Sequence, residues 1–156
     1  MNQKTAMKLF GLLGLLMLLS CGYADRHRNS SLCEQALVDS LEVRVQDSLF
    51  SNVHYSRSQL LEALTQTQDS LVYYRLLALY GKTFFVSSDF DSILYYNRRV
   101  KEFSRNASQS SESLQSPRWN DVLSDVYNIE GNVWMQLNRP DSAIIDYKKA
   151  YGYRLE

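Results

Sequence analysis

The triplet Gly81-Lys82-Thr83 carries residue types that could bind a phosphate group. A phosphate-binding loop of the G-x-x-x-x-G-K-[ST] kind needs a second glycine five residues before Gly81, because several backbone N–H groups must converge on the phosphate without Cβ atoms in the way. That position is Leu76, and residues 77–80 between them are the apolar and aromatic residues of a helix interior. The sequence therefore does not predict a nucleotide site here, and Gly81 needs another explanation.

Histidine and serine, two common catalytic residue types, do not stand in patterns that could do chemistry. His27 and His54 are the only histidines, and neither has a second metal ligand at a spacing such as H-x-x-x-H. No serine stands in the G-x-S-x-G pattern of a nucleophile. We therefore expect no catalytic residue, no metal site, no cofactor and no enzyme activity, with both histidines as ordinary surface residues.

The charges are balanced and do not indicate nucleic-acid binding. The chain has 17 Lys and Arg residues against 17 Asp and Glu residues. A short basic cluster, Arg98, Arg99 and Lys101, is flanked by Asp91 and Glu102. Because a nucleic-acid-binding protein would need a basic stripe or face, we expect no nucleic-acid partner and interpret the cluster as a solvated helix face.

The elements that carry these residues are predicted to be helices throughout, which makes the fold all-α. Helix breakers are few, with 6 glycines and 2 prolines in the whole chain, and no sustained two-residue alternation indicates a strand. Apolar residues recur at helical spacing in two stripes: Leu71, Tyr74, Leu77, Ala78, Gly81, Phe84 and Phe85, and then Ile93, Tyr96, Val100 and Phe103.

Two more helices are predicted upstream of these stripes. Leu37, Leu41, Val45 and Leu49 indicate the inward face of a helix within residues 32–49. A second helix over 58–65 would turn Leu60 and Ala63 inward, and His54 would lie in the turn before it. Together they form a divergent helical hairpin over residues 32–66.

An internal repeat relates two stretches of the chain. Residues 77–100 align with residues 127–150 without a gap, and in both copies a glycine is followed by an aromatic residue and then by Asp-Ser. This order predicts a helix, a turn and a second helix, twice. The matched pairs are Gly81 with Gly131, Phe84 with Trp134, Asp91-Ser92 with Asp141-Ser142, Ile93 with Ala143 and Val100 with Ala150.

The second copy, residues 119–156, resembles a tetratricopeptide repeat, a helical hairpin of roughly 34 residues with alternating large and small positions. Those positions are filled in order by Tyr127, Gly131, Trp134, Ala143, Tyr147 and Ala150. The first copy, residues 67–103, matches by residue class, with Asn97 where an aromatic residue is usual, and a serine-rich insertion over 104–118 separates the two. The resemblance implies hairpins stacked as a short right-handed solenoid.

The resemblance also explains the two glycines. A glycine inside a helix costs about 1 kcal/mol relative to alanine, so its presence in both copies requires a gain such as close approach of the returning helix. Ala143 and Ala150 are the matching small residues on that helix, while Phe84, Trp134 and Tyr147 are expected to fill the space between hairpins.

A tetratricopeptide array binds peptides or protein segments on the concave surface formed by its first helices. The resemblance places seven residues on that surface: Arg75, Ala78, Lys82, Phe85, Asn128, Asn132 and Met135. Asn128 and Asn132 are four residues apart, so their amides share a face and could grip an extended backbone. Two polar residues on a wet helix face are the other interpretation, and both stay open.

The N-terminus predicts export and a lipid anchor. Lys4 and Lys8 precede an apolar run, residues 9–19, that is too short to span a bilayer but suits a secretory signal over residues 1–21. The run ends in Leu-Leu-Ser-Cys, which resembles a bacterial lipobox with Cys21 as the lipid attachment site. An ordinary cleavable signal is the alternative. Residues 22–31 form a polar tether.

These patterns predict a membrane-anchored module of the bacterial cell envelope, on its periplasmic or outer-surface side, with a protein or peptide partner. Ile144, Tyr151 and Leu155 are expected to lack cover at the end of the last helix, either because another subunit covers them or because the chain is the front part of a larger regulator. The alternative function is an envelope enzyme or small-ligand binder with its site among the tyrosines and the serine-rich insertion.

Overall fold

The computed structural model describes residues 35–48, 51–107 and 117–155. The chain divides into two compact units, Met1–Leu37 and Val38–Glu156. Of the first unit the structure describes only residues 35–37, which are helical, and all other described residues belong to the second. The predicted signal, Cys21, the tether with His27 and most of the serine-rich insertion lie outside the described residues.

The described residues form helices and no strand, which confirms the all-α prediction. Six α-helices follow one another in this part of the chain, with a short 3₁₀ helix, Thr83–Ser87, after the third. They are α1 (residues 35–48), α2 (Val53–Gln66), α3 (Ser70–Lys82), α4 (Phe90–Ala107), α5 (Pro117–Gln136) and α6 (Pro140–Leu155).

Capping side chains set the starts of two helices and correct one predicted boundary. The side-chain oxygen of Asn52 accepts a hydrogen bond from the Tyr55 N–H at 3.1 Å, so α2 begins at Val53 rather than at residue 58. His54 therefore lies exposed in the first turn of α2, and the turn predicted for it is wrong. Asp69 caps α3 in the same way, accepting from two backbone N–H groups.

The turns after α3 and α5 share one geometry at aligned positions. Ser88 and Asn138, 50 residues apart, are the non-glycine residues of the described chain with positive φ, at 52° and 57°. The residue after each donates its backbone N–H to the carbonyl of an aromatic residue five positions back. The Asp89 N–H bonds the Phe84 carbonyl at 3.2 Å, and the Arg139 N–H bonds the Trp134 carbonyl at 2.8 Å. In each copy the left-handed residue ends the helix. The next helix then begins at aligned positions, Phe90 in the first copy and Pro140 in the second.

The two copies differ just before this turn. In the second copy the α-helix runs on to Gln136, whereas in the first it ends at Lys82 and continues as the 3₁₀ helix. Arg57 of α2 binds that segment: its guanidinium donates to the Thr83 hydroxyl at 3.0 Å and carbonyl at 3.1 Å, and it lies 4.1 Å from the Phe84 ring centroid. A contact from the preceding hairpin thus accompanies the tighter winding.

Both repeated glycines lie where a second helix crosses closely. A Cβ atom on Gly81 would stand 2.9 Å from the Cβ of Tyr96 in α4, and one on Gly131 would stand 2.6 Å from Cδ1 of Tyr147 in α6. Ala143 and Ala150, the small residues predicted on the returning helix, are buried. Neither glycine needs an unusual backbone conformation, so space is the reason for the residue type.

The apolar core is divided into three clusters. The first joins α1, α2 and α3, the second joins α3, α4 and α5, and the third joins α4 and α5. Leu60 and Ala63 are buried as predicted. On α1 the buried stripe is Val38, Leu41 and Val45, while Leu37 is 47% exposed, so the inward position predicted for Leu37 is wrong by one residue.

Candidate functional site

A groove in the described part of the chain lies along α1, α3 and α5, with Phe85 of the 3₁₀ helix and Arg154 of α6 also in its wall. Its main cavity has a volume of about 540 Å³. A recess of about 30 Å³ continues it between α1, α3 and α5, since both include Lys82, Asp125 and Ile129 in their walls. The main cavity is lined by Gln46, Lys82, Phe85, Asp125, Asn128, Ile129, Asn132 and Arg154.

Arg75, predicted as a groove contact, is a buried residue at the base of the recess. Its guanidinium is 5% exposed and lies 2.8 Å from a carboxylate oxygen of Asp39 and 3.5 Å from one of Glu42. Both acids belong to α1, so Arg75 joins α3 to α1. With its charge occupied in this way, Arg75 shapes the groove rather than reaching out of it.

Three charged side chains cross the groove. Asp125 of α5 lies 3.9 Å from the Lys82 ammonium of α3 and 3.5 Å from the Arg154 guanidinium of α6. All three are partly exposed, so each pair contributes little to stability and exchanges easily with solvent or with a ligand.

Asn128 and Asn132 both line the main cavity, as the sequence predicts for one face of α5. Asn132 is oriented by the neighbouring helix, because the Tyr147 hydroxyl donates to its side-chain oxygen at 2.8 Å. That bond leaves the amide N–H groups of Asn132 as donors. Asn128 is exposed and presents both a donor and an acceptor.

Of three other residues predicted to face the groove, two line its cavities and one does not. Ala78 lines the recess and Phe85 lines the main cavity, each half-buried. Met135 is 52% exposed and lines neither cavity. The apolar side of the groove therefore comes from Phe85 and Ile129 rather than from Met135.

The aromatic residues predicted to fill the space between hairpins divide into two kinds. Phe84 lies against Arg57 of α2 and also stacks on Tyr96 of α4, with ring centroids 5.7 Å apart. Trp134 and Tyr147 make their polar contacts inside their own hairpin: the Trp134 indole donates to Asp146 of α6 at 2.8 Å, and Tyr147 donates to Asn132 of α5. In the second copy these rings therefore tie α5 to α6.

Sequence reasoning missed two buried polar links between hairpins. The side-chain amide of Asn97 in α4 donates to the Val126 carbonyl of α5 at 3.2 Å. The Lys101 ammonium of α4 lies 2.6 and 2.7 Å from the two carboxylate oxygens of Glu130, which is 4% exposed. Burial raises the pKa of the Glu130 carboxyl, and the Lys101 charge opposes that rise. Neither partner is near the other in sequence, so no local pattern could reveal them.

Most tyrosines pack against other rings instead of lining the groove. Tyr74 stacks on Phe103 with centroids 4.0 Å apart, and Tyr80 meets Tyr96 edge to face at 5.2 Å. Tyr95 is half exposed on α4. The tyrosines thus mainly hold helices together, which is the role that an aromatic ring with a polar tip fills well.

The described residues contain neither a metal-ligand cluster nor a membrane span. Among residues 35–48, 51–107 and 117–155, no three His, Cys, Asp or Glu side chains come together as metal ligands. Within that part of the chain no helix has the length and apolar character needed to cross a bilayer.

Comparison with known proteins does not assign the chain to a family. No protein-family model, no curated protein and no solved structure matches the chain.

Proposed function

We propose that the chain is a membrane-anchored helical-repeat module that binds an extended segment of a partner protein in the groove along α1, α3 and α5. The observation that carries this proposal is the main cavity, about 540 Å³ in volume, with the amides of Asn128 and Asn132 and the Phe85 ring in its wall. Every residue of an extended peptide offers an N–H and a C=O, so side chains that both donate and accept suit it.

The two aligned turns and the two close helix crossings support a tetratricopeptide-like stack. Turns at Ser88 and Asn138 have the same hydrogen bonds, and Gly81 and Gly131 meet the returning helix in both copies. The resemblance implies a groove lined by first helices, and the main cavity takes most of its wall from α1, α3 and α5. The proposal extends these features to a short right-handed solenoid.

The N-terminal sequence supports the anchor and the location. Lys4, Lys8 and the apolar run before Cys21 suit an exported bacterial lipoprotein. We place the module on the periplasmic or outer-surface side of the envelope, as a protein-interaction scaffold or as the sensing part of a larger regulator. The alternative, an enzyme or small-ligand binder in a tyrosine-rich groove, gains no support from the groove along α1, α3 and α5, whose described lining contains no tyrosine.

The test is binding of the full-length protein to a library of extended peptides, followed by titration of the best binders. Asn128→Ala combined with Asn132→Asp should weaken binding about tenfold or more, because two hydrogen-bond donors are lost. Asp at position 132 keeps an acceptor for the Tyr147 hydroxyl, so the hairpin stays intact. Asn106→Ala, at an exposed residue of α4 outside both cavities, is the matched control.

Two results would count against the proposal. Equal affinity of the groove variant and the Asn106→Ala control would place the peptide elsewhere. Absence of any peptide binder, together with a small molecule that raises the melting temperature by mass action, would favour the small-ligand alternative.

A further inference from the structure

A second cavity, of about 390 Å³, lies where α4, α5 and α6 meet. It shares no lining residue with the groove or its recess, so it is a separate site. Its volume falls within the roughly 300–1,000 Å³ of pockets that hold small ligands. The side chains that matter for its chemistry are Arg98, Lys101, Arg105, Tyr127, Lys149 and Tyr153.

Four cationic groups line this cavity. Arg98, Lys101 and Arg105 are spaced by three and four residues on α4 and so share one face, and Lys149 comes from α6. Glu102 is the one carboxylate in the described lining. Glu130 and Asp146 pair with the two lysines, so four cationic groups face three carboxylates and the excess positive charge at the cavity is one.

Buried carboxylates hold the two lysines in position. Glu130 binds the Lys101 ammonium with both oxygens, and Asp146, which is buried, lies 3.2 Å from the Lys149 ammonium. The other oxygen of Asp146 accepts from Trp134. An ammonium carries three N–H donors, so Lys101 keeps at least one donor and Lys149 two for a bound group.

Tyrosine rings form the remaining wall. Tyr127 and Tyr153 are stacked, with centroids 5.7 Å apart and planes within 9° of parallel. The ammonium groups of Lys101 and Lys149 lie 5.2 and 4.9 Å from the Tyr127 centroid, in range of cation–π attraction. The cavity thus combines fixed ammonium donors, two exposed guanidinium groups and phenol hydroxyls, all of which favour a ligand rich in acceptor oxygens.

We propose that this cavity binds a small soluble phosphate ester, with its phosphate between the α4 arginines and the two lysines. A phosphate monoester carries a charge near −2 and three strong acceptor oxygens. Guanidinium groups match its geometry with paired N–H donors, and the lysines act as point charges. The proposal does not depend on the peptide groove, so each can fail without the other.

Calorimetric titration of the full-length protein with glycerol 3-phosphate, at constant ionic strength, tests the proposal. Saturable binding is expected, with glycerol inactive at the same concentrations. Arg98→Gln combined with Arg105→Gln should raise the Kd about tenfold or more through loss of charge-assisted hydrogen bonds. Arg44→Gln combined with Lys148→Gln removes the same charge from exposed residues outside the three cavities and is the matched control.

Three results would overturn the proposal. One is no saturable binding at millimolar ligand. Another is an equal loss of affinity in the control variant, which would mean attraction by net charge alone. The third is binding only to vesicles that contain phosphatidic acid and not to the soluble ester, which would assign the cavity to a membrane surface.

Discussion

Replacement of each of three helical glycines by alanine tests whether close helix approach explains the repeat. Alanine is favoured over glycine inside a helix by about 1 kcal/mol, so the substitution stabilises wherever a Cβ atom finds space. Gly152 of α6 has nothing within 4 Å of that position. Gly152→Ala should therefore raise the free energy of unfolding by about 0.5–1 kcal/mol, toward the low end because the helix end is near.

Gly81→Ala should have the opposite sign. The new Cβ would lie 2.9 Å from the Tyr96 Cβ, whereas carbon atoms pack best at about 3.5–4.0 Å. A Cβ atom is fixed to the backbone and cannot rotate away, so α3 and α4 must move apart. Overpacking of this kind costs about 1–3 kcal/mol, and after the helix gain of about 1 kcal/mol a net loss of up to about 2 kcal/mol remains.

Gly131→Ala differs because the obstacle is the Tyr147 ring, which can rotate at the cost of its bond to Asn132. The substitution should destabilise the wild-type background and stabilise a Tyr147→Ala background, where the ring is gone. Urea denaturation of the single and double variants, with the m-value as a check on the denatured state, measures all of these differences. Gly81→Ala as stabilising as Gly152→Ala, or Gly131→Ala equal in both backgrounds, would refute the close-approach explanation.

Three further predictions concern single residues. Burial raises the folded-state pKa of Glu130, so the folded protein binds more protons than the unfolded chain between the two pKa values. The free energy of unfolding should therefore fall as pH rises from the ordinary pKa range of glutamate through the raised pKa. Glu130→Gln should reduce this dependence of the unfolding free energy on pH, as measured by urea denaturation at several pH values. The same pH dependence in the variant would contradict this. Asn97→Leu should cost about 0.5–1.5 kcal/mol, since it removes the amide's hydrogen bond to the Val126 carbonyl, which keeps its hydrogen bond within α5; no change in thermal denaturation would contradict this. Cys21→Ala should release the protein from the membrane fraction, while the native protein should have an N-terminal peptide that begins at an acylated Cys21; an unacylated N-terminal peptide would exclude the anchor.

Local signals in the sequence predicted much of the fold. The alignment of residues 77–100 with 127–150 predicted a helix, a turn and a second helix in each copy, and the described residues have that order. It also predicted that a glycine lies at a close helix crossing, a contact that requires a small residue on one helix. The left-handed turn at Asn138 has a partial signal, since asparagine tolerates positive φ. Ser88, in the equivalent turn, has no such preference and could not have been predicted from its type.

The candidate sites depended more on contacts distant in sequence. Arg75 was predicted to face the groove, but its long side chain pairs with Asp39, 36 residues away. No local sequence pattern indicates that pairing. Lys101 and Glu130 are 29 residues apart, as are Asn97 and Val126. On α1, Leu37 and Val38 are both apolar neighbours, and packing against α2 and α3 decides which of them is buried.

These buried polar links have a common consequence for the groove. Apolar clusters alone tolerate sliding of one hairpin against the next, because apolar contact is not directional. Arg75 joins α3 to α1, while Asn97 and Lys101 join α4 to α5, and each bond is satisfied at one relative position of the two helices. A polar pair in a core can thus specify register even where it adds little stability. These links add to the apolar clusters and to the close crossings at Gly81 and Gly131 in fixing the spacing between the helices, and with it the width of the groove lined by Asn128 and Asn132.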